Sequence, residues 1–353
     1  MLIFGDCHRL GLVLTLILVP LVSGARSFDL GYQGWGLSLG NSPRFTGLRL
    51  NGSDRGVERV NGVNLTLWKP GPNPGGRYRG LQLGLIGQRA YRLDGIALGG
   101  LGVNGGQRLR GLALAGMGVG AEELTGVAAG LVLVDVEKKA RGVLISGFWT
   151  GECRQLDGLA FSPGGAIAGD VQGMTIGGLV AGAGGRLTGA SLSLGAAFGA
   201  QVRGIAVGGL GAGGGHVKGL AAGGLVVAIG DTLTGIGLSL GVVGADRQLD
   251  GVILGGLGVR AGEGLRGLAV GTAVILAPRV QGVAIGGANG LIVDQINLED
   301  FVHFEVVNRQ FTGLSVGLVN ASRNLHGVQL GLLNYAGNNP RWLRLLPLVN
   351  IHL

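Results

Sequence analysis

Hydrophobic positions recur along this chain in a fixed frame set by glycine. Eighteen glycines mark it: Gly47, Gly62, Gly80, Gly95, Gly111, Gly126, Gly142, Gly158, Gly173, Gly189, Gly204, Gly219, Gly235, Gly251, Gly267, Gly282, Gly313 and Gly327. From Gly80 to Gly282 successive markers stand 15 or 16 residues apart. Three columns aligned on the marker are apolar. Two residues before it stand Phe45, Val60, Tyr78, Leu93 and Leu109; one after it Leu48, Val63, Leu81, Ile96 and Leu112; three after it Leu50, Leu65, Leu83, Leu98 and Leu114. The last two columns alternate with the period of a strand, which assigns the Ala-rich column between them to the solvent side. Apolar residues at minus two and plus one cannot share a face of one flat strand, so the glycine between them is expected at a bulge or corner. A second break falls at pairs such as Gly99-Gly100 and Gly208-Gly209. Leucine resumes after each pair, and a polar turn such as Asn104-Gly105-Gly106-Gln107 follows.

A unit this short cannot bury its own apolar face, so neighbouring units must stack. The pattern predicts an all-β fold, a single elongated β-solenoid of 15–16-residue Gly-rich repeats. The alternative is an antiparallel outer-membrane β-barrel with one strand per unit. The column just before the marker discriminates. It places Arg79 next to Asp94, Asp94 next to Arg110, Arg141 next to Asp157 and Asp250 next to Arg266, with Arg203 and Lys218 as the like-charged neighbours. Such complementarity helps only if successive units lie side by side in parallel, as in a solenoid. The expected layout is a signal peptide over 1–24, an N-terminal cap over 25–46, the array over 47–296, a degenerate repeat or insertion over 297–311, final repeats over 312–340 and a C-terminal cap over 341–353. Trp342, Leu345 and Leu346 are expected to cover the last coil.

Composition agrees with a packed exported protein. Of 353 residues 77 are glycine, 46 % are hydrophobic and 14 % are charged, which excludes the low-hydrophobicity, high-charge pattern of disorder. His8 and Arg9 precede the apolar run from Leu10 to Val22, and Ser23, Gly24 and Ala25 follow, the arrangement of a secretory signal. Cys7 lies in that segment, so a processed chain keeps only Cys153 and forms no internal disulfide. The formal net charge of +8 suits anionic envelope or membrane components, and the arginines concentrate between Arg44 and Arg110.

The motifs that suggest chemistry are by-products of the repeat. Gly237-Leu238-Ser239-Leu240-Gly241 has the spacing of a nucleophile elbow, but it sits in a β-repeat where a strand-to-helix turn is needed. Gly209 to Gly214 fits a dinucleotide fingerprint with no following helix. His216, His303, His326 and His352 are dispersed, without zinc-ligand spacing. No catalytic, cofactor-binding or metal residue is assigned, and stacking aromatics interleaved with basic residues, which nucleic acid would require, are missing.

Near the C-terminus, Gly313-Leu314-Ser315-Val316-Gly317-Leu318-Val319-Asn320 and Gly327-Val328-Gln329-Leu330-Gly331-Leu332-Leu333-Asn334, with the Leu-Pro-Leu-Val-Asn ending, resemble the tandem units of bacterial surface-repeat proteins. The upstream units depart from that pattern by carrying Ala or other small residues where the final units carry Gln and Asn. The resemblance implies an exported cell-envelope or cell-surface protein and supplies no catalytic residues. The function expected is therefore non-enzymatic and structural or adhesive, with self-association through apolar faces; under the barrel alternative it is a pore or surface scaffold.

Overall fold

The computed structural model of the protein describes residues 27–33, 35–71, 73, 75–295 and 303–353. The expected signal segment, Cys7 included, lies outside them. The chain falls into two compact units, one ending at Gly169 and one beginning at Asp170. Both are β-solenoids, and the barrel alternative is wrong because the strands that carry successive markers pair in parallel.

In the first unit the strands Trp35–Gly40, Arg44–Asn51, Arg59–Thr66, Arg77–Gly84, Arg92–Gly99 and Arg108–Ala115 stack in one ladder. Gly36 lies beside Gly47, Gly47 beside Gly62, and so on through Gly80, Gly95, Gly111, Gly126 and Gly142 to Gly158. A second, shorter face runs Gly87–Arg89, Gly102–Asn104 and the start of Gly118–Gly130. Further along, the polar turn between the two faces shrinks to a register shift inside one continuous strand, between Ala121 and Glu123. The second unit repeats the plan, with Gly189, Gly204, Gly219, Gly235, Gly251, Gly267, Gly282, Gly313 and Gly327 in register.

The side chains do not slip phase at the marker. Residues at minus two, plus two and plus four point inward, and those at minus one, plus one and plus three point outward. The assignment of the Ala-rich column to solvent is thus corrected: Ala97, Ala113, Ala128, Ala206, Ala221 and Ala269 are buried core. The leucines and valines at plus one and plus three form the outer face. Alternation runs unbroken through the glycine, and the departure is confined to its backbone. All eighteen markers have φ between 105° and 146°, a region L side chains rarely enter. A Cβ on the marker would also lie closer than 3.0 Å to the carbonyl oxygen of the preceding marker, as at Gly204 against Gly189 and Gly251 against Gly235.

Leu or Val at minus two and Val or Ala on the opposite face are buried together with the small residues at plus two, as Leu109, Val103 and Val119 are. Where Ile253 enlarges the plus-two column, the residue beneath it is Gly237, and a Cβ there would press on Leu233, Val243 and Ile253. Each fully buried leucine contributes about 2 kcal/mol of apolar burial.

The doubled interval between Gly282 and Gly313 holds no extra coil. Arg279–Asn289 stacks directly on Gln310–Ser322. The chain leaves the stack as Leu291–Gln295 and returns as His303–Val306, the two pairing antiparallel. Of the expected degenerate repeat or insertion over 297–311, the described strand His303–Val306 lies outside the stack and forms no parallel coil; Glu299, Asp300 and Phe301 lie outside the described residues. A parallel coil needs a glycine that admits its neighbour's carbonyl, and 297–311 contains none.

Antiparallel strands flank the ladders. Ser27–Tyr32 pairs with Trp35–Gly40 in the first unit, and Leu345–His352 pairs with Asn324–Ala336 in the second. The expected cover by Trp342 and Leu345 is corrected: Trp342 is 78 % exposed and Leu345 59 %. The last coil is covered by the backbone of an added strand, because a sheet edge is satisfied by hydrogen bonds and not by apolar side chains.

Gly204→Ala should lower the stability of its unit by about 2 kcal/mol or more, from the forced φ and the carbonyl clash together. Gly244→Ala, whose Cβ meets nothing within 4 Å, should leave it unchanged or slightly raised. Urea unfolding midpoints check this, and equal losses at the two sites would contradict the account.

Candidate functional surface

The coil corner is built from two residues, the fifth and sixth after the marker, one of which is large and apolar in most coils. In the first unit these are Leu85, Leu101, Met117, Leu131 and Phe148, and in the second Leu179, Leu194, Leu210, Leu225, Leu240 and Leu257, all exposed. Leu194 and Leu240 reach 81 % exposure. Local geometry dictates this arrangement. The other corner residue is often glycine (Gly100, Gly116, Gly147, Gly209, Gly224, Gly256), because a Cβ there would lie closer than 3.0 Å to a carbonyl of the preceding coil. The large apolar residue takes the other corner place, which differs between coils: Leu194 and Leu240 stand five residues after their markers, and Leu179, Leu210, Leu225 and Leu257 six after.

Between this ridge and the outward plus-three column runs a trough. In the first unit it encloses about 770 Å³, with Leu83, Leu98 and Leu114 on one wall, Leu85 and Leu131 on the other, and Gly84, Gly99 and Gly100 in the floor. The second unit has a counterpart of about 730 Å³ between Ile285, Val316 and Leu330 and the pair Leu318 and Leu332. Both troughs are lined almost entirely by apolar side chains and glycine.

The charged columns lie in lateral register, as the sequence predicts. Asp94 stands between Arg79 and Arg110, and Asp250 beside Arg266, yet these do not close to ion pairs. The Arg141–Asp157 pair does, at 3.5 Å, and Lys139 joins the same carboxylate at 3.1 Å. Burial alone would raise the Asp157 carboxyl, but hydrogen bonds and charge from Lys139, then Gln155 and Arg141, hold it below the usual carboxylate range. A second lateral network runs across four coils: His216 to Asp231 at 2.5 Å, and Arg247 to Asp231 and to Glu263 at 3.1 Å each.

Ser239 ends a strand at a corner, where its Oγ accepts a hydrogen bond from the Gly241 amide at 3.1 Å; Ser193 caps Gly195 in the same way. Gly209 and Leu210 form a corner and Gly211–Gly223 a strand. His326 and His352 meet edge to face at 5.9 Å. Among the described residues no group of three or more His, Cys, Asp or Glu side chains is placed to hold a metal ion, and no helix is long and apolar enough to cross a membrane. Cys153 is buried, and burial pushes its thiol up to about 11.

Sequence reasoning missed a polar interior in the first unit. Arg49 and Asp54 form a fully buried ion pair. Arg49 also donates to Asn64 at 2.8 Å and Asn41 at 2.6 Å, and Thr66 donates to Asp54 at 2.7 Å. Burial, with Asp54 nearby, drives the Tyr78 hydroxyl far above its ordinary range. The signal was present: Arg49, Asn64 and Gln82 occupy the plus-two column where later coils carry alanine. In the second unit an asparagine ladder does similar work, Asn289 donating to Asn320 and Asn320 to Asn334, each at 2.8 Å.

Comparison with family models, with curated proteins and with solved structures returns no match.

Asp157→Asn should cost about 1 kcal/mol at pH 7. Because the folded carboxyl titrates below its unfolded value, this contribution is full above about pH 4 and is lost as the pH falls through the folded pKa. Thermal unfolding of wild type and variant at pH 7 and pH 3 measures it; a pH-independent difference would contradict the ion-pair origin. Cys153 should resist maleimide at pH 8 in the folded chain and react fully in denaturant, and labelling of the native protein would show the coil to be open.

Proposed function

We propose that the protein is a non-enzymatic component of the cell envelope or cell surface with a structural or adhesive role, working through the outer face of its coils. The observation that carries this reading is the corner ridge: a large apolar side chain stands exposed at the same corner on coil after coil, beside a glycine-floored trough. Folding gains nothing from that arrangement, since these leucines stay in water. Selection for an apolar partner surface accounts for it. The apolar segment from Leu10 to Val22 with its basic and small-residue flanks supports export, and the tandem units after Gly313 support a surface-repeat role.

Replacing Leu179, Leu210 and Leu225 by Ser should sharply reduce self-association and retention on a hydrophobic matrix. It should shift stability by less than about 0.5 kcal/mol per site, since exposed side chains contribute little to folding. Sedimentation velocity and thermal unfolding report the two effects, and unchanged association would remove the ridge from the proposal. Surface-restricted biotinylation of intact cells tests location: the chain should label before lysis, and labelling only after lysis argues against a surface role.

A further inference from the structure

The five strands of the first unit from Arg44–Asn51 to Arg108–Ala115 each begin with arginine. Parallel register sets Arg44 beside Arg59, Arg59 beside Arg77, Arg77 beside Arg92 and Arg92 beside Arg108. Neighbours in such a column lie about 4.8 Å apart. Like charges directly opposite one another weaken a sheet, and the neighbouring column of the same strands interposes Asp94 between Arg79 and Arg110. At one end of the column Glu58 pairs with Arg44. At the other Glu123 pairs with Arg108 at 3.2 Å, while Arg92 donates to Gln107 at 2.9 Å. Arg59 and Arg77, at the centre, make no ion pair or side-chain hydrogen bond among the described residues, and both are exposed.

Arg44, Arg59 and Arg77 line one side of a pocket of about 640 Å³, with Gln33, Thr46 and Asn61 also in its wall. Glu58 neutralises Arg44, so Arg59 and Arg77 leave the pocket with net positive charge. We infer that this arginine column binds a linear acidic glycan, a sugar polymer carrying carboxylate, sulfate or phosphate groups. A row of arginines set by the backbone at a constant step matches a ligand whose anionic groups also repeat along a line, and each guanidinium fork can donate two hydrogen bonds to such a group. The amides and hydroxyl of Gln33, Asn61 and Thr46 suit sugar hydroxyls. An acyl lipid fits worse, because the apolar ridge begins beyond the opposite end of these same strands. Nucleic acid fits worse too: Phe45 in the pocket wall is buried, and the guanidinium of Arg92 already covers the Tyr91 ring at 5.7 Å. The inference draws on the proposed surface role only for access to such a polymer, and binding in buffer tests it whatever the protein's location.

The experiment titrates the purified full chain with heparin oligosaccharides and polygalacturonate, with neutral dextran, a single-stranded oligonucleotide and phosphatidylglycerol vesicles as comparisons, across a salt series. Binding to the two acidic glycans should weaken steeply with salt and be absent for dextran. Arg59→Gln with Arg77→Gln should reduce affinity about tenfold or more, whereas Arg203→Gln with Lys218→Gln, which removes the same charge from an exposed column of the second unit, should change it no more than about twofold. Arg59→Lys with Arg77→Lys should fall between, since charge is kept and the fork is lost; it remains informative if the glutamine pair fails a circular dichroism check of folding. Equal losses in the two glutamine pairs, binding of dextran, or oligonucleotide or vesicle binding as tight as that of the glycans and equally sensitive to Arg59 and Arg77 would overturn the inference. Failure here with intact surface labelling would remove the glycan and leave the envelope role standing.

Discussion

The marker glycine of each coil packs against the carbonyl oxygen of the marker before it. The space a Cβ would need is already occupied by that oxygen, and the glycine's positive φ is what lets the backbone pass. Parallel register, coil length and the direction of every other side chain follow from repeating this contact. Once glycine is fixed against glycine, the residues at minus two and plus two must point into the coil and those at plus one and plus three out of it. The interior is then left with room for alanine where the strand passes closest to the opposite face.

That geometry also accounts for the surface. The corner is tight enough that one of its two residues is usually glycine, and the other has nowhere to point but outward. A leucine at either of the two corner positions is therefore held outward by the backbone beneath it, and an apolar ridge arises wherever successive coils supply one. The same register turns five strand-initial arginines into a column. The scaffold thus aligns whatever the chain supplies at a given frame position, and the partner is specified by which residue types are repeated.

Much of this was legible in the sequence. The period and the complementary charges before the marker pointed to parallel neighbours, which is how Asp94 and Asp250 lie in the structure. The inward and outward faces were not legible, because apolar residues at plus one and plus three imitate a core column. Hydrophobicity reports burial only when the exterior is polar, and here Leu48 and Ile96 are exposed by design of the surface, while Ala113 and Ala206 fill the core. The hairpin after Asn289 escaped for a different reason: an interval of two periods is consistent with a lost marker as well as with an excursion. Arg49 and Asp54 were hidden because a charged residue in a repeat is ordinarily read as solvent-facing, and nothing in their spacing announced that each would neutralise the other inside the coil.

The two antiparallel strands have a further meaning for assembly. A parallel ladder has a polarity, and each coil offers the next the donor and acceptor pattern of a strand running in its own direction. Ser27–Tyr32 and Leu345–His352 run the other way, so an incoming parallel coil does not find the matching pattern at either strand. Reversal of one strand ends propagation without any bulky plug, much as an inverted monomer terminates a directional polymer.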